Sequence, residues 1–228
     1  MKEKILIIED DPAILEVTAY NLQSAGYDVV SSPSGDEGLL LAKSESPQLI
    51  LLDVMLPGLS GIEVCQRLRA DTETKHVPVI MLTAKSEESD QLIGFAVGAD
   101  DYVTKPFSMR VLQERIRAML RRRQSDASES VYFSHGVRID ANQHRATLDN
   151  QELELTPSEF GLLEAMVRHP GRAFSRAQLI DVGLGGDALV LERTIDVHIR
   201  ALRQKLGDQA DLIETVRSVG YRFRREGS

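Results

Sequence analysis

Tryptophan is absent from the chain, cysteine occurs once, and long apolar runs are missing. The single thiol, Cys65, can form neither an internal disulfide nor a multi-thiolate metal site. No stretch approaches the roughly 18 consecutive apolar residues that a membrane-spanning helix needs. The first residues, MKEKILIIEDD, turn acidic too early for a secretory signal peptide. We therefore expect a cytoplasmic protein without a membrane partner, in which Cys65 is a core residue of a helix.

The chain does have enough apolar material for a core. Hydrophobic residues make up 42% of its 228 residues, and this length suggests one large domain or two smaller ones. The formal net charge of -8 argues against uniform coating of nucleic acid, although a local basic patch can coexist with an acidic total. The net charge of each segment is therefore more informative than the net charge of the whole chain.

Short runs rich in Ile, Val and Leu alternate with segments of helical period in the first half of the chain. The runs are KILIIEDD, YDVVSS, QLILLD, VPVIMLT and DDYVTKP, and each of the first four precedes an amphipathic stretch. Strands separated by helices imply right-handed crossovers and a mostly parallel sheet with helices on both faces. The pattern predicts a doubly wound (βα)5 domain of the α/β class over residues 1–123.

A polar, serine-rich segment interrupts this pattern, and we assign residues 124–130 to a linker. Short alternating segments after it predict a small antiparallel sheet. Capping boxes at Thr156 and Ser175 predict two helix starts, and a third helix is expected to stop at Gly207. The segment ETVRSVGYRF predicts a terminal hairpin. Residues 131–228 are therefore expected to form a smaller α+β domain.

Four strand ends of the first domain carry side chains of complementary chemistry. In chain order these side chains belong to Glu9, Asp10, Asp53, Thr83 and Lys105. Because the carboxyl ends of parallel strands meet at one edge of the sheet, we expect these residues to lie close together. The gathered carboxylates would repel one another unless a hard divalent cation such as Mg²⁺ neutralised them.

A phosphate is the substrate that suits this set. Lys105 can supply a positive charge and Thr83 a hydroxyl for phosphate oxygens, and Asp53 can act as a nucleophile that forms an aspartyl phosphate. Taken singly, the acidic cluster could be a charged helix N-terminus, Thr83 a helix cap and Lys105 a surface lysine. The coincidence at four strand ends favours the functional interpretation.

The third predicted helix of the second domain, residues 192–206, has two different faces. Its core stripe has i, i+4, i+7, i+11 spacing and consists of Ile195, Ile199, Leu202 and Leu206. The opposite stripe contains no acid and consists of Arg193, Val197, Arg200 and Gln204. Arginine suits guanine edges or phosphate, glutamine suits adenine, and a small apolar side chain can meet a thymine methyl.

The local charge near the C-terminus is opposite in sign to that of the whole chain. The helix has four basic and two acidic residues, and residues 217–225 have four basic residues and no acid. A surface that binds duplex DNA requires such a field. A solvated basic face with a stray valine is the alternative.

The segments ILIIEDD, LILLDVMLPGLSG, VIMLTAK and GADDYVTKPF resemble the signature segments of a response-regulator receiver domain of two-component signalling. The resemblance implies that a sensor histidine kinase phosphorylates Asp53. It also implies that Mg²⁺ is bound by Asp10, Asp53 and the Met55 carbonyl, with Glu9 assisting. Two further roles follow from the resemblance: the phosphate partner is Lys105, and the switch pair is Thr83 with Tyr102.

The same resemblance implies a homodimer surface on the last two helices and the last strand of this domain. Relatives form salt bridges there at the positions of Asp100, Asp101, Arg115 and Arg122. The implied pairs are Asp101 with Arg115 and Asp100 with Arg122. Exposed pairs of this kind set register more than affinity. A further bridge of relatives is missing, because Gln91 and Val111 replace it.

The segments LTPSEFGLLEAMVRHPGRAFSRAQL, ERTIDVHIRALRQKLG and IETVRSVGYRF resemble the winged-helix effector domain of the OmpR/PhoB family. The resemblance implies that the third helix enters the major groove of double-stranded DNA and that the hairpin is a wing. The resemblance gives Thr194, Val197, His198, Arg200, Arg203, Arg217 and Arg222 as expected contact residues. Arg193 of the acid-free stripe is added to this group.

Two departures from the effector pattern limit what carries over. Ala201 stands where many relatives have a second arginine, so a base preference cannot be transferred. The segment DVGLGGDALVLE lacks the Trp-Gly of a loop that can face RNA polymerase in relatives. RNA polymerase therefore remains only a candidate partner.

These features predict a DNA-binding transcriptional response regulator that is not an enzyme. Phosphorylation of Asp53 is expected to promote dimerisation of the receiver domain and binding of paired DNA half-sites. Three alternatives remain: a phosphorylation-independent regulator, a magnesium-dependent phosphohydrolase and a stand-alone phosphotransfer relay. The hydrolase would need a cap domain and a catalytic aspartate where Met55 stands, and the basic C-terminal surface argues against the relay.

Overall fold

The computed structural model of the chain describes residues 2–84, 98–121, 131–185 and 192–225. The chain divides into two compact units, Met1–Leu120 and Arg121–Ser228. Within the described ranges, no helix is both long and apolar enough to span a membrane. The helix expected around residues 84–98 and the linker at 124–130 fall largely or wholly outside those ranges.

The first unit is a five-stranded parallel sheet with helices between its strands. Its elements are β1 (Lys4–Ile8), α1 (Pro12–Ser24), β2 (Asp28–Ser32), α2 (Gly35–Ser44), β3 (Leu49–Asp53), α3 (Gly61–Ala70), β4 (Val79–Ala84), β5 (Asp101–Lys105) and α4 (Met109–Arg121). The strand order is β2-β1-β3-β4-β5, and the predicted doubly wound α/β fold is confirmed. Strand order reverses between β1 and β3, which is where such sheets bind ligands.

Apolar runs make β1, β3 and β4 the centre of this sheet. Helices cover parallel sheets on both faces, so their central strands are apolar at consecutive positions rather than at alternate ones. The side chains from Leu49 to Leu52 are fully buried, and Asp53, the last residue of β3, is only 4% exposed. Cys65 is buried in α3, as predicted for a core position of a helix.

The second unit contains two antiparallel sheets and three helices. Its elements are β6 (Val131–Ser134), β7 (Val137–Asp140), β8 (Arg145–Leu148), β9 (Gln151–Glu152), α5 (Pro157–Val167), β10 (Phe174–Ser175), α6 (Arg176–Leu179), a π-helical turn (Ile180–Gly185), α7 (Glu192–Leu206), a 3-10 turn (Gly207–Leu212), β11 (Ile213–Val216) and β12 (Gly220–Phe223). The strands β6 to β9 pair in chain order, and the second sheet has the order β10-β12-β11. The predicted small sheet and terminal hairpin are both present.

Local capping and one apolar stripe explain how these helices form and pack. The backbone N–H of Thr156 donates to the Glu159 carboxylate at 2.8 Å, which is half of the predicted capping box at α5, and the box at Ser175 also forms. The predicted core stripe of α7 is at most 2% exposed. It packs in one cluster with Phe174 of β10 and Phe223 of β12. The two-residue strand β10 had no signal in the sequence.

Candidate functional site

The carboxyl ends of β1, β3 and β5 bring one lysine and three carboxylates together. Nζ of Lys105 lies 2.7 Å from Oδ2 of Asp53 and 2.8 Å from Oε1 of Glu9. Carboxylate oxygens of Glu9, Asp10 and Asp53 all lie within 4.8 Å of one another. The peptide bond between Lys105 and Pro106 is cis. Four of the residues singled out in the sequence thus form one cluster at the switch point of the sheet.

Burial and charge act in opposite directions on the pKa values of Glu9 and Lys105. Burial raises the pKa of Glu9 to about 7, although the hydrogen bond from Lys105 opposes that rise. Burial lowers the pKa of Lys105, but its hydrogen bonds to Asp53 and Glu9 outweigh burial and leave that pKa raised. A single ammonium group therefore faces more carboxylate charge than it can neutralise.

The donor atoms of this cluster fit a hard divalent cation. Oε2 of Glu9 is buried and lies 2.6 Å from Nζ of Lys105, yet no described residue donates a well-aligned hydrogen bond to it. The other candidate ligands are carboxylate oxygens of the exposed Asp10 and the buried Asp53. A set made only of oxygen ligands suits Mg²⁺. Asp11, the next acid in the chain, instead caps α1 by accepting from the Ala13 and Ile14 amides.

The loop after β3 and the first residue of α3 contact Asp53. The Met55 backbone N–H donates to Oδ1 of Asp53 at 3.1 Å, and the Met55 side chain is 70% exposed. The N–H of Gly61, the first residue of α3, donates to the Val54 carbonyl at 3.0 Å. A Cβ atom at Gly61 would lie 1.9 Å from the Asp53 carbonyl oxygen. Only glycine permits this approach, a role that the sequence did not reveal.

Thr83 and Tyr102, the expected switch pair, are both buried. The Thr83 hydroxyl donates to the Ala84 carbonyl at 3.0 Å. Tyr102 is 7% exposed, and its hydroxyl lies 2.7 Å from the Met81 sulfur. Met81 is directly opposite Tyr102 in the pairing of β4 with β5. The tyrosine ring is therefore turned inward against Met81, a residue that the sequence motifs did not identify.

The described residues of the expected dimer surface make contacts within their own unit. Asp100 accepts from Nη2 of Arg69 at 2.7 Å and from the Val79 amide at 2.9 Å. Asp101 pairs with Arg115 at 2.5 Å, and none of Asp100, Asp101 and Arg115 is more than 5% exposed. Arg122 lies outside the described residues, as does Gln91. An intersubunit bridge through Asp101 or Arg115 would therefore require an exchange of partners.

The residues expected to touch DNA divide by exposure. Arg200 of α7 and Arg217 of the hairpin are exposed, and neither forms an ion pair with any described residue. Val197 is half-buried. Thr194 and His198 are 3% and 2% exposed, so their side chains are covered by the unit itself. The side chain of Arg193 lies outside the described part of the chain.

Two further arginines of that group are engaged in the hairpin. Arg203 donates to the Ile213 carbonyl at 2.6 Å and to Oγ1 of Thr215 at 2.9 Å. Arg222 donates to Glu214, its cross-strand partner, at 2.6 Å. Both contacts hold β11. The resemblance gave Arg203 as an expected DNA contact, because the sequence does not reveal how the hairpin packs against α7.

Two family models match the chain. Residues 5–117 match the response regulator receiver domain, and residues 150–223 match the C-terminal domain of transcriptional regulatory proteins. The first match covers β1 to most of α4, and the second covers β9 to β12.

Relatives match over nearly the full length. The phosphate regulon transcriptional regulatory protein PhoB of Rhizobium meliloti is 44% identical over 97% of this chain and 98% of its own. PhoB of Pseudomonas aeruginosa is 46% identical over 96% of each chain. Among solved structures, DrrB, an OmpR/PhoB homologue from Thermotoga maritima, has a TM-score of 0.52 at 30% identity and covers 98% of this chain and 100% of its own.

Proposed function

The chain belongs to the OmpR/PhoB family of response regulators, which are phosphorylation-dependent DNA-binding transcriptional regulators, and we propose that its phosphoacceptor is Asp53. The protein is a transcriptional regulator rather than an enzyme, and a kinase is its partner. The observation that carries the assignment of Asp53 is its hydrogen bond to Lys105 at the switch point of the sheet. Glu9 also shares the lysine, but it follows β1, whereas Asp53 is itself the last residue of the central strand β3.

In the proposed reaction, a carboxylate oxygen of Asp53 attacks the phosphorus of a phosphohistidine in the kinase. The new O–P bond forms as the P–N bond breaks, and the imidazole leaves. Lys105 turns from the carboxylate to the transferred phosphoryl oxygens. When bound, Mg²⁺ neutralises phosphoryl charge, and we assign it to Glu9, Asp10, Asp53 and the Met55 carbonyl. The Asp53 backbone stays fixed because α3 packs directly beneath it.

We propose that Thr83 carries the signal from the phosphate to Tyr102. A hydroxyl that now donates to the neighbouring carbonyl can donate instead to a phosphoryl oxygen. That movement changes the space beside Met81 and Tyr102 on the same face of the sheet. The inward position of Tyr102 is then the state that phosphorylation favours.

The dimer is proposed to form through the face that carries β5 and α4. Asp101 and Arg115 would exchange their internal pairing for an intersubunit one, with Asp100 and Arg122 as the second expected pair. Linking two effector units raises their effective concentration on paired half-sites, so that modest affinity of each unit is sufficient. Residues 1–123 and 131–228 are the proposed domains, and residues 124–130 are the proposed linker between them.

For DNA we propose direct contacts by the exposed members of the group. Arg200 and Arg217 present accessible guanidinium groups, and Arg193 and Val197 share the acid-free stripe with Arg200. Of the other expected residues, Thr194 and His198 support this surface from within the unit, and Arg203 and Arg222 hold the hairpin. A cytoplasmic location and a contact with RNA polymerase complete the proposal.

Incubation with acetyl phosphate and Mg²⁺ tests the assignment of the phosphoacceptor. The wild-type protein should gain the mass of one phosphoryl group, and Asp53→Asn should gain none. The control is Asp11→Asn, which alters the cap of α1 but leaves the cluster intact. Phosphorylation of Asp53→Asn at the wild-type rate would refute the assignment.

A further inference from the structure

A single tyrosine connects the hairpin to α7. Tyr221 of β12 is 6% exposed, and its hydroxyl donates to Oδ1 of Asp196 on α7 at 2.7 Å. Nε of Arg176, the first residue of α6, donates to the same oxygen at 2.7 Å. Three elements that are separate in the chain therefore converge on one carboxylate.

Arg203 makes the second connection between the same elements. Its guanidinium group donates twice to the Ile213 carbonyl, at 2.6 and 3.1 Å, and once to Thr215. The guanidinium carbons of Arg203 and Arg176 lie 5.6 and 5.2 Å from the centre of the Tyr221 ring. Both distances are within the range of cation–π attraction. The ring thus has a hydrogen bond at one end and two arginines packed against it.

The presence of Asp196 in α7 needs a physical reason. A duplex repels a carboxylate, so an acid on a helix that approaches DNA weakens binding unless it contributes elsewhere. The Asp196 side chain is 42% exposed and is therefore only partly shielded. An asparagine would remove the repulsion. The hydrogen bonds that Asp196 accepts from Arg176 and Tyr221 are this contribution.

We propose that Arg176, Asp196, Arg203 and Tyr221 form a positioning clamp that fixes the hairpin relative to α7 and thereby sets the specific affinity for DNA. The inference rests on the DNA-binding function of the chain. Arg200 on α7 and Arg217 on the hairpin must reach one duplex at a fixed separation. A hairpin that is already held in place loses less conformational entropy on binding than one that must be ordered by the DNA.

The test compares the full-length Asp196→Asn protein with wild type on two duplexes. One duplex carries the site that the wild-type protein selects from random DNA, and the other has a scrambled sequence. Electrostatics alone predicts that Asp196→Asn binds both duplexes more tightly. The clamp predicts weaker binding to the selected site, by roughly tenfold for the lost charge-assisted hydrogen bonds, and no loss on the scrambled duplex.

Two further variants separate positioning from folding. Tyr221→Phe keeps the buried ring and removes only the hydroxyl, so it should lower the ratio of specific to non-specific affinity in the same direction. Asp208→Asn removes an exposed acid that follows α7 and lies outside the clamp, so it should leave that ratio unchanged. Amide hydrogen exchange in β11 and β12 should accelerate in Asp196→Asn and Tyr221→Phe only.

Equal tightening on both duplexes by Asp196→Asn, together with an unchanged ratio in Tyr221→Phe, would overturn the clamp. If Asp53→Asn lost DNA binding only under phosphorylating conditions, that result would bear on the phosphorylation switch and not on the clamp. The two outcomes are distinguishable because the clamp is measured without any phosphate mimic.

Discussion

Nζ of Lys105 lies 2.7 Å from Oδ2 of Asp53, although the two residues are 52 positions apart in the chain. The parallel sheet produces this contact, since both residues end strands at the same edge. Glu9 shares the lysine, so one ammonium group faces two carboxylates of low exposure. This arrangement determines both the chemistry and the local stability of the site.

Removing the lysine should destabilise the first unit more than removing the acid. Lys105→Ala leaves Glu9 and Asp53 facing each other without a counter-charge, and breaking such a buried pair costs about 3 kcal/mol. Asp53→Asn removes one of the repelling charges and should cost less. Urea unfolding in EDTA measures both, and equal losses for the two variants would contradict the electrostatic account.

Gly61→Ala should impair phosphorylation without changing any charged group. Its Cβ would lie 1.9 Å from the Asp53 carbonyl oxygen, which is a backbone atom that cannot rotate away. We expect a loss of about 1–3 kcal/mol of stability from this overpacking and slower labelling by acetyl phosphate. Gly38→Ala is the matched control, because the three nearest atoms to its Cβ would all belong to the buried Ile8 side chain and none to the backbone. Equal effects of the two substitutions would argue against the role of Gly61.

Cys65 should report unfolding of the first unit. Burial raises the pKa of its thiol from the ordinary 9.0 to about 11, so the native thiol stays protonated at pH 8 and should react slowly with a disulfide reagent. A raised pKa in the folded state adds stability that is complete below pH 9 and is lost as the pH rises toward 11. Rapid reaction of the native protein at pH 8 would show that the thiol is accessible.

Arg200→Ala and Arg217→Ala should each weaken DNA binding while leaving the thermal unfolding midpoint close to that of wild type. Both side chains are exposed and lack an ion pair among the described residues. A lost phosphate contact should lower the slope of affinity against salt by about one, and a lost base contact should cost roughly tenfold on the specific site. Arg222→Ala, which loses the pair with Glu214, serves as the comparison. Wild-type salt dependence together with wild-type affinity for the specific site in both variants would remove them from the interface.

The acidic cluster could be predicted because it follows from the order and direction of the strands. Alternating apolar and amphipathic segments imply a parallel sheet, and parallel strands place their last residues at one edge. The helix caps at Thr156 and Ser175 and the core stripe of α7 were equally accessible, since each depends on residues within a few positions of one another. Local signals therefore identified the elements and most of the pocket.

Contacts between distant segments were not accessible in this way. Nothing near Gly61 indicates that α3 packs under Asp53, and nothing near Arg69 indicates that it binds Asp100. The comparison by motif placed Asp100 at a dimer surface, whereas tertiary packing buries it beside Arg69 in the single chain. The exposure of Arg203 could not be predicted for the same reason, because it depends on where the hairpin packs against α7. These features follow from the register of strands and the packing of helices, which periodicity does not encode.

The central claim, that modification of Asp53 controls association and DNA binding, is tested most directly with beryllofluoride as a phosphate mimic. Light scattering gives the mass, and titration of the selected duplex gives the affinity, both with and without Mg²⁺ and beryllofluoride. The wild-type protein should shift from monomer to dimer and bind paired half-sites at least about tenfold more tightly, as expected when two sites are linked. Asp53→Asn should show neither change. An unchanged mass and an unchanged affinity in the wild-type protein would contradict the account.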